Sequence, residues 1–204
     1  MQEKDTYRTI EAPSNEGLYK DRGSKFLGYA FPLKREEDVK EIIQELKEMH
    51  FKARHWCYAW QLGKEQNAIS YRVNDDGEPN NSAGQPIYGQ ILSKEVTDIL
   101  VVVVRYFGGT KLGVGGLINA YKNAAELTLN TSKIIERTVD IRLALIFDYP
   151  HMNKVMRIIK ERNLKIDRQK MEMNCEMEVL VRKNEALAVE NAFENLRCLK
   201  IERI

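Results

Sequence analysis

Long apolar runs are missing from this sequence. The longest, Ile99 to Val104, falls far short of the roughly 20 residues a spanning helix needs, so no membrane partner is expected. The opening stretch, MQEKDTYRTI, is charged and has no apolar signal core, and a cytoplasmic location is expected. Cysteine is scarce: Cys57, Cys175 and Cys198 are odd in number and widely spaced, with no CxxC and no Cys/His cluster. That argues against a disulfide framework and against a structural zinc, and leaves reduced, partly buried thiols. Excess charge is also absent. Thirty-two Lys and Arg against 30 Asp and Glu leave a formal charge of only +2, too little for non-specific binding to nucleic acid through bulk charge. No Ser/His/Asp or Cys/His arrangement can be built from local spacing, and no metal or cofactor is expected.

The 204 residues suffice for one large domain or two small ones. Extended segments are read at about Glu16 to Arg22 and Lys25 to Leu33, with Gly23-Ser24 as the hairpin turn. Val39, Ile42, Ile43, Leu46 and Met49 recur at helical spacing over Asp38 to Met49. Strands rich in aromatic and β-branched residues follow at His55 to Leu62 and Ala68 to Val73. NDDGEPNNSAGQP, from Asn74, is dense in turn formers and reads as a long loop; a helix then runs to about Leu92. Asp98 to Tyr106 is a β-branched run without polar alternation, as expected of a strand covered on both faces. Leu117 to Leu129 reads as a helix with Ile118, Tyr121, Ala125 and Leu129 on one face.

From Ile135 the order becomes strand, helix, strand, strand, helix, strand, the βαββαβ ferredoxin-like arrangement. Two domains are expected, 1–133 and 134–204, and the fold class is α+β.

The stretch RYFGGTKLGVGG holds Gly108, Gly109, Gly113, Gly115 and Gly116 between a buried strand and a helix start, flanked by Arg105 and Lys111. Glycines let backbone N–H groups approach a ligand closely, and the helix end adds unsatisfied donors and a positive dipole end. An anion suits that constellation: a phosphate, a carboxylate or a nucleic-acid backbone. Neither a P-loop nor a Rossmann signature fits, since Leu112 follows Lys111 and Ile118 stands where GxGxxG needs its last glycine. The competing reading is that these glycines only permit tight turning and close packing.

Asp75, Asp76 and Glu78 crowd three carboxylates around Gly77. They suit a hard cation, a basic partner, or ion pairs with Arg105 or Lys111 if the two loops meet; a solvated, self-bonded turn is the plainer reading. Arg54-His55, at a strand start, supplies a possible polar partner, with a structural histidine the commoner case. Lys154, Arg157 and Lys160 recur every third residue and give the C-terminal half a basic face, which either contacts phosphates or is a solvated helix surface.

Three strings, ARHWCYAW from Ala53, NDDGEPNNSAGQP from Asn74 and VVVVRYFGGTKLGVGGLINAYKNA from Val101, together resemble the IMPACT family in its bacterial YigZ-type form. The resemblance covers most of residues 15–130, and the C-terminal half looks like the extra domain of bacterial members. It implies an N-terminal domain like the second domain of ribosomal protein S5, followed by a ferredoxin-like domain similar to the last domain of elongation factor G. One departure is Asn80-Asn81, where bacterial relatives commonly carry small residues after DDGEP. The resemblance brings in a eukaryotic family member that is a translational regulator, whose N-terminal partner-binding domain is not expected among these residues. The resemblance thus implies a translation-linked binding protein with RNA, the ribosome or a translation factor as partner. The alternative is an enzyme acting on a small phosphorylated or carboxylated substrate, with Asp76, Glu78 or His55 as acid–base groups.

Overall fold

The computed structural model describes residues 5–64 and 68–204 and has the expected α+β character. Its eleven described strands and five α-helices fall into two compact units, Tyr7–Arg137 and Thr138–Ile204, the second also taking in Asp5 and Thr6.

The first unit contains β1 (Thr6–Ile10), β2 (Gly17–Asp21), β3 (Ser24–Pro32), α1 (Asp38–Met49), β4 (His55–Leu62), β5 (Ser70–Asn74), α2 (Gly84–Ser93), β6 (Ile99–Tyr106), α3 (Gly113–Thr131) and β7 (Ile134–Thr138). Its main sheet has the order β2-β3-β6-β4-β5, every neighbouring pair antiparallel. The hairpin turn falls at Arg22-Gly23 rather than Gly23-Ser24. Both residues have positive φ, 42° and 83°, which suits the twist of a two-residue hairpin.

β6 explains its own sequence. Ile99, Val101 and Val103 enter the core beneath α2 and α3, while Leu100, Val102 and Val104 enter the core beneath α1. A strand sandwiched this way has no solvent face on which to alternate. On α3 the buried residues are Leu117, Ala120, Tyr121, Ala124, Ala125, Thr128 and Leu129. Ile118, expected on that face, is 37% exposed.

Two strands differ from the sequence reading for one reason. β1 is not foreseen by the sequence, and the strand expected to begin at Ile135 is broken at the buried Val139. Its first part, β7, pairs with β1 in a two-stranded sheet. The backbone N–H of Glu11 donates to Lys133 O and that of Val139 to Asp5 O. The units therefore divide at Arg137/Thr138, whereas the expectation was 133/134. Pairing between segments so distant in the chain leaves no local periodicity to read.

The second unit contains β8 (Asp140–Asp148), α4 (Met152–Glu161), β9 (Lys165–Lys170), β10 (Asn174–Arg182), α5 (Ala186–Glu194) and β11 (Leu199–Arg203). Sheet order β11-β8-β10-β9 with antiparallel pairs is the ferredoxin-like arrangement. Leu143, Leu145, Met177 and Val179 pack beneath Val155, Ile159, Val189 and Phe193. Arg182 donates through Nε and Nη2 to the buried carboxylate of Asp5, at 2.5 and 3.0 Å. The guanidinium holds the Asp5 carboxyl below its ordinary range.

Candidate functional site

Where β6 leaves the core, the chain turns outward through Phe107 to Leu112 and enters α3 at Gly113. The helix begins earlier than expected, so Gly113, Gly115 and Gly116 form its first turn and only Gly108 and Gly109 belong to the connection. The five glycines do different work. A Cβ on Gly108 would lie 1.9 Å from the carbonyl carbon of Gly23, so this glycine is needed for the hairpin turn to touch the loop; Ser24 Oγ accepts its N–H at 3.1 Å. Gly109 and Gly113 have φ of 89° and 72°, where side chains are strained. Gly115 has neither excuse. A Cβ there would meet nothing within 4 Å, as at Gly109 and Gly113. Lys111 is exposed, and the N-cap residue Leu112 supplies no side-chain cap, so the first N–H groups of α3 are left to outside partners.

Beneath this loop lies a buried polar cluster. Arg105, at the end of β6, donates from Nη1 to Glu78 Oε1 at 2.5 Å, and the Tyr121 hydroxyl of α3 donates to the same oxygen at 2.8 Å. The guanidinium carbon sits 5.5 Å from the ring centroids of both Phe26 and Phe107, the latter in the loop itself. Arg105 Nε is buried without a hydrogen-bond partner. Tyr121 O also lies 3.3 Å from Cys57 Sγ, whose thiol donates to Asp75 O at 3.0 Å. Burial pushes both the Cys57 thiol and the Tyr121 hydroxyl far up, so neither is a nucleophile or a base at neutral pH.

The acidic loop is drawn inward. Asp75 Oδ1 accepts from the N–H groups of Ala83 and Gly84 at 2.9 Å, and Oδ2 from Asn81 at 2.9 Å. It thereby caps α2, whose own N-cap residue, Ala83, has no side chain able to do so. Asp76 Oδ2 accepts from Trp56 N at 2.7 Å, and its carbonyl accepts from His55 Nδ1 at 2.8 Å. A carbonyl can only accept, so Nδ1 carries the proton in this pair. His55 Nε2 lies 4.0 Å from Glu78 Oε1, beyond hydrogen-bond reach. Among the described residues, no three His, Cys, Asp or Glu side chains are grouped to hold a metal ion.

Arg105, Glu78, Asp76 and His55 thus come together, joined by Tyr121 and Cys57, which sequence reasoning left out of the site. Arg54 joins only through its backbone, donating to Arg105 O at 3.1 Å, and its residue is exposed. In the second unit Lys154, Arg157 and Lys160 are exposed on α4, with Arg157 Nε 3.7 Å from Glu161 Oε1. Tyr121 had a legible signal, a hydroxyl on the predicted apolar face of α3 that needs a buried partner. Among the described residues no helix is long and apolar enough to cross a membrane.

The sequence pattern of the family described as "Impact N-terminal domain" matches residues 22–129, a span that includes the acidic loop, β6 and the glycine-rich loop. The IMPACT family member YvyE of Bacillus subtilis (strain 168) is 32% identical over 183 residues, 90% of this chain and 83% of its own. The IMPACT family member YigZ of Escherichia coli (strain K12) is 41% identical over 85 residues, 42% of each chain. A crystal structure of a hypothetical protein shares the fold at TM-score 0.76 and 24% identity, covering 98% of both chains. With the family pattern over more than half its length, and a relative matched along most of both sequences, the chain belongs to the IMPACT family.

Proposed function

We propose that this protein is a translation-linked binding module that engages RNA phosphates, on the ribosome or a translation factor's RNA, through the N-terminal turn of α3 and Lys111. One observation carries the reading: Gly109, Gly113 and Gly115 face open space while the cluster beneath them is internally bonded. The site offers donors outward and keeps its acceptors inward, a polarity that suits an anion. Family membership supports the link to translation, since the resemblance brings in a eukaryotic translational regulator. Lys154, Arg157 and Lys160 are exposed and suit additional phosphate contacts.

The enzyme alternative is supported less well. Each carboxylate offered as an acid–base group already accepts hydrogen bonds from its own chain, and Cys57 and Tyr121 are kept protonated by burial. Only His55 Nε2 is left for proton transfer, without an oriented partner.

The test is binding of ribosomes and ribosomal RNA across a salt series. Affinity falls steeply with salt, and Lys111→Ala lowers the slope of log K against log salt by about 1. Binding that is salt-insensitive, or identical in Lys111→Ala and wild type, overturns the reading.

A further inference from the structure

On the α1 face of the first unit's sheet lies a concavity of about 390 Å³, between α1 and the edge strand β5. Its floor is β4, where Trp56, Tyr58 and Trp60 occupy alternate positions and so point to one face. One wall is α1 with the exposed Lys40 and Lys47; the other is Arg72 and Asn74, cross-strand partners of Trp60 and Tyr58. We infer that this aromatic groove binds one unstacked nucleotide of a single-stranded RNA, its base against Tyr58 and Trp56 and its phosphates at Lys40 and Lys47.

Three observations support that occupant. First, the space is not filled from within. Of the twelve residues of α1 only Val39 and Leu46 are buried, and β5 contributes Arg72 and Asn74 where an apolar pair would have closed the gap. Second, the charges are unevenly committed. Of the two acids lining the groove, Glu36 lies 3.4 Å from Arg72 and Asp76 accepts from Trp56 N. Among the described residues neither lysine forms an ion pair with an acid; Lys47 Nζ instead stands 5.5 Å from the Trp56 ring centroid. An anionic ligand therefore meets positive charge at the rim. Third, a row of aromatic faces beside lysines is the arrangement that holds unstacked bases, which stack on the rings while the cations meet the backbone. The volume lies within the usual 300–1,000 Å³ range of ligand pockets.

The inference shares with the proposed function only the class of ligand. The glycine-rich loop follows β6, and the groove is built by α1, β4 and β5.

The protein carries a built-in reporter. It has two tryptophans, Trp56 and Trp60, and both line the groove, so tryptophan emission, excited selectively over that of the nine tyrosines, reports on this groove. The full chain is titrated with hexaadenylate RNA at low salt. Saturable quenching is expected, with affinity weakened on the order of ten-fold or more in the Lys40→Glu/Lys47→Glu variant and several-fold in Tyr58→Leu. Loss of the groove signal with the Lys111-dependent salt slope on ribosomes intact, or the reverse, separates failure of the groove from failure of the loop. The lysine variant carries only exposed changes, so the outcome does not hinge on refolding of the core. Absence of quenching, or wild-type affinity in both groove variants, overturns the inference. So does adenosine monophosphate binding as tightly as the hexamer, or an acidic tyrosine-containing peptide binding more tightly than it.

Discussion

Arg105 and Glu78 face each other across 2.5 Å with side chains only 7% and 5% exposed, so the loop above them rests on an ion pair removed from water. Such a pair contributes less through its own attraction than through what happens when it is broken. Glu78→Ala leaves a guanidinium buried and uncompensated and is expected to cost about 3–5 kcal/mol in urea unfolding. Glu78→Gln keeps a hydrogen-bond acceptor and is expected to cost less. A loss under about 1 kcal/mol for Glu78→Ala would mean that water reaches the pair.

The glycines separate fold from ligand. Gly108→Ala is expected to destabilise the protein, because its Cβ collides with the backbone of Gly23 at 1.9 Å. Gly115→Ala is expected to raise stability by up to about 1 kcal/mol, since it adds helix propensity in open space. If the first turn of α3 receives phosphates, the same substitution weakens RNA binding. Thermal melts and binding isotherms on the same pair of variants read both effects.

Asp75 acts at a distance in sequence as the cap of α2. Replacing it with Ala removes the acceptor of three backbone N–H groups and is expected to cost about 1–2 kcal/mol. Amide exchange should quicken first at Ala83 and Gly84.

A pH response is expected at His50, at the end of α1, whose ring nitrogens lie 2.7 Å from the Tyr29 hydroxyl and 3.0 Å from that of Tyr106. Burial pulls its pKa below 6.5 and outweighs the opposing pull of the Glu16 charge. The folded state therefore favours the neutral ring. That contribution is complete above about pH 6.5 and is lost as pH falls through the lower folded value. Melting temperature should drop over this window, and His50→Gln should flatten that part of the profile.

What could be read in advance depended on whether the signal was local. The run of β6 and the spacing in α1 announced their elements because each residue's burial is set by neighbours three or four positions away at most. The ferredoxin-like order was legible for the same reason. The pairing of β1 with β7 was not, because its partners lie more than a hundred residues apart. At the site, the crowding of Asp75, Asp76 and Glu78 suggested a shared ligand, but their directions depend on where α2, β4 and β6 place their donors. No spacing rule reports that three adjacent carboxylates point to three different structural tasks. Ile118 failed because α3 starts at Gly113 and meets the sheet through Leu117 and Tyr121 instead.

The salt bridge between Asp5 and Arg182 also bears on how this chain can be divided. The Thr138–Ile204 unit draws its buried aspartate from a segment that precedes the first unit in the chain, so the first unit lies, in sequence, between two parts of the second. A single cut therefore frees no intact copy of the ferredoxin-like unit. Gene truncation at the apparent boundary strips Arg182 of its partner, whereas a linear fusion that joins Asp5 and Thr6 to Thr138 keeps both residues in one chain.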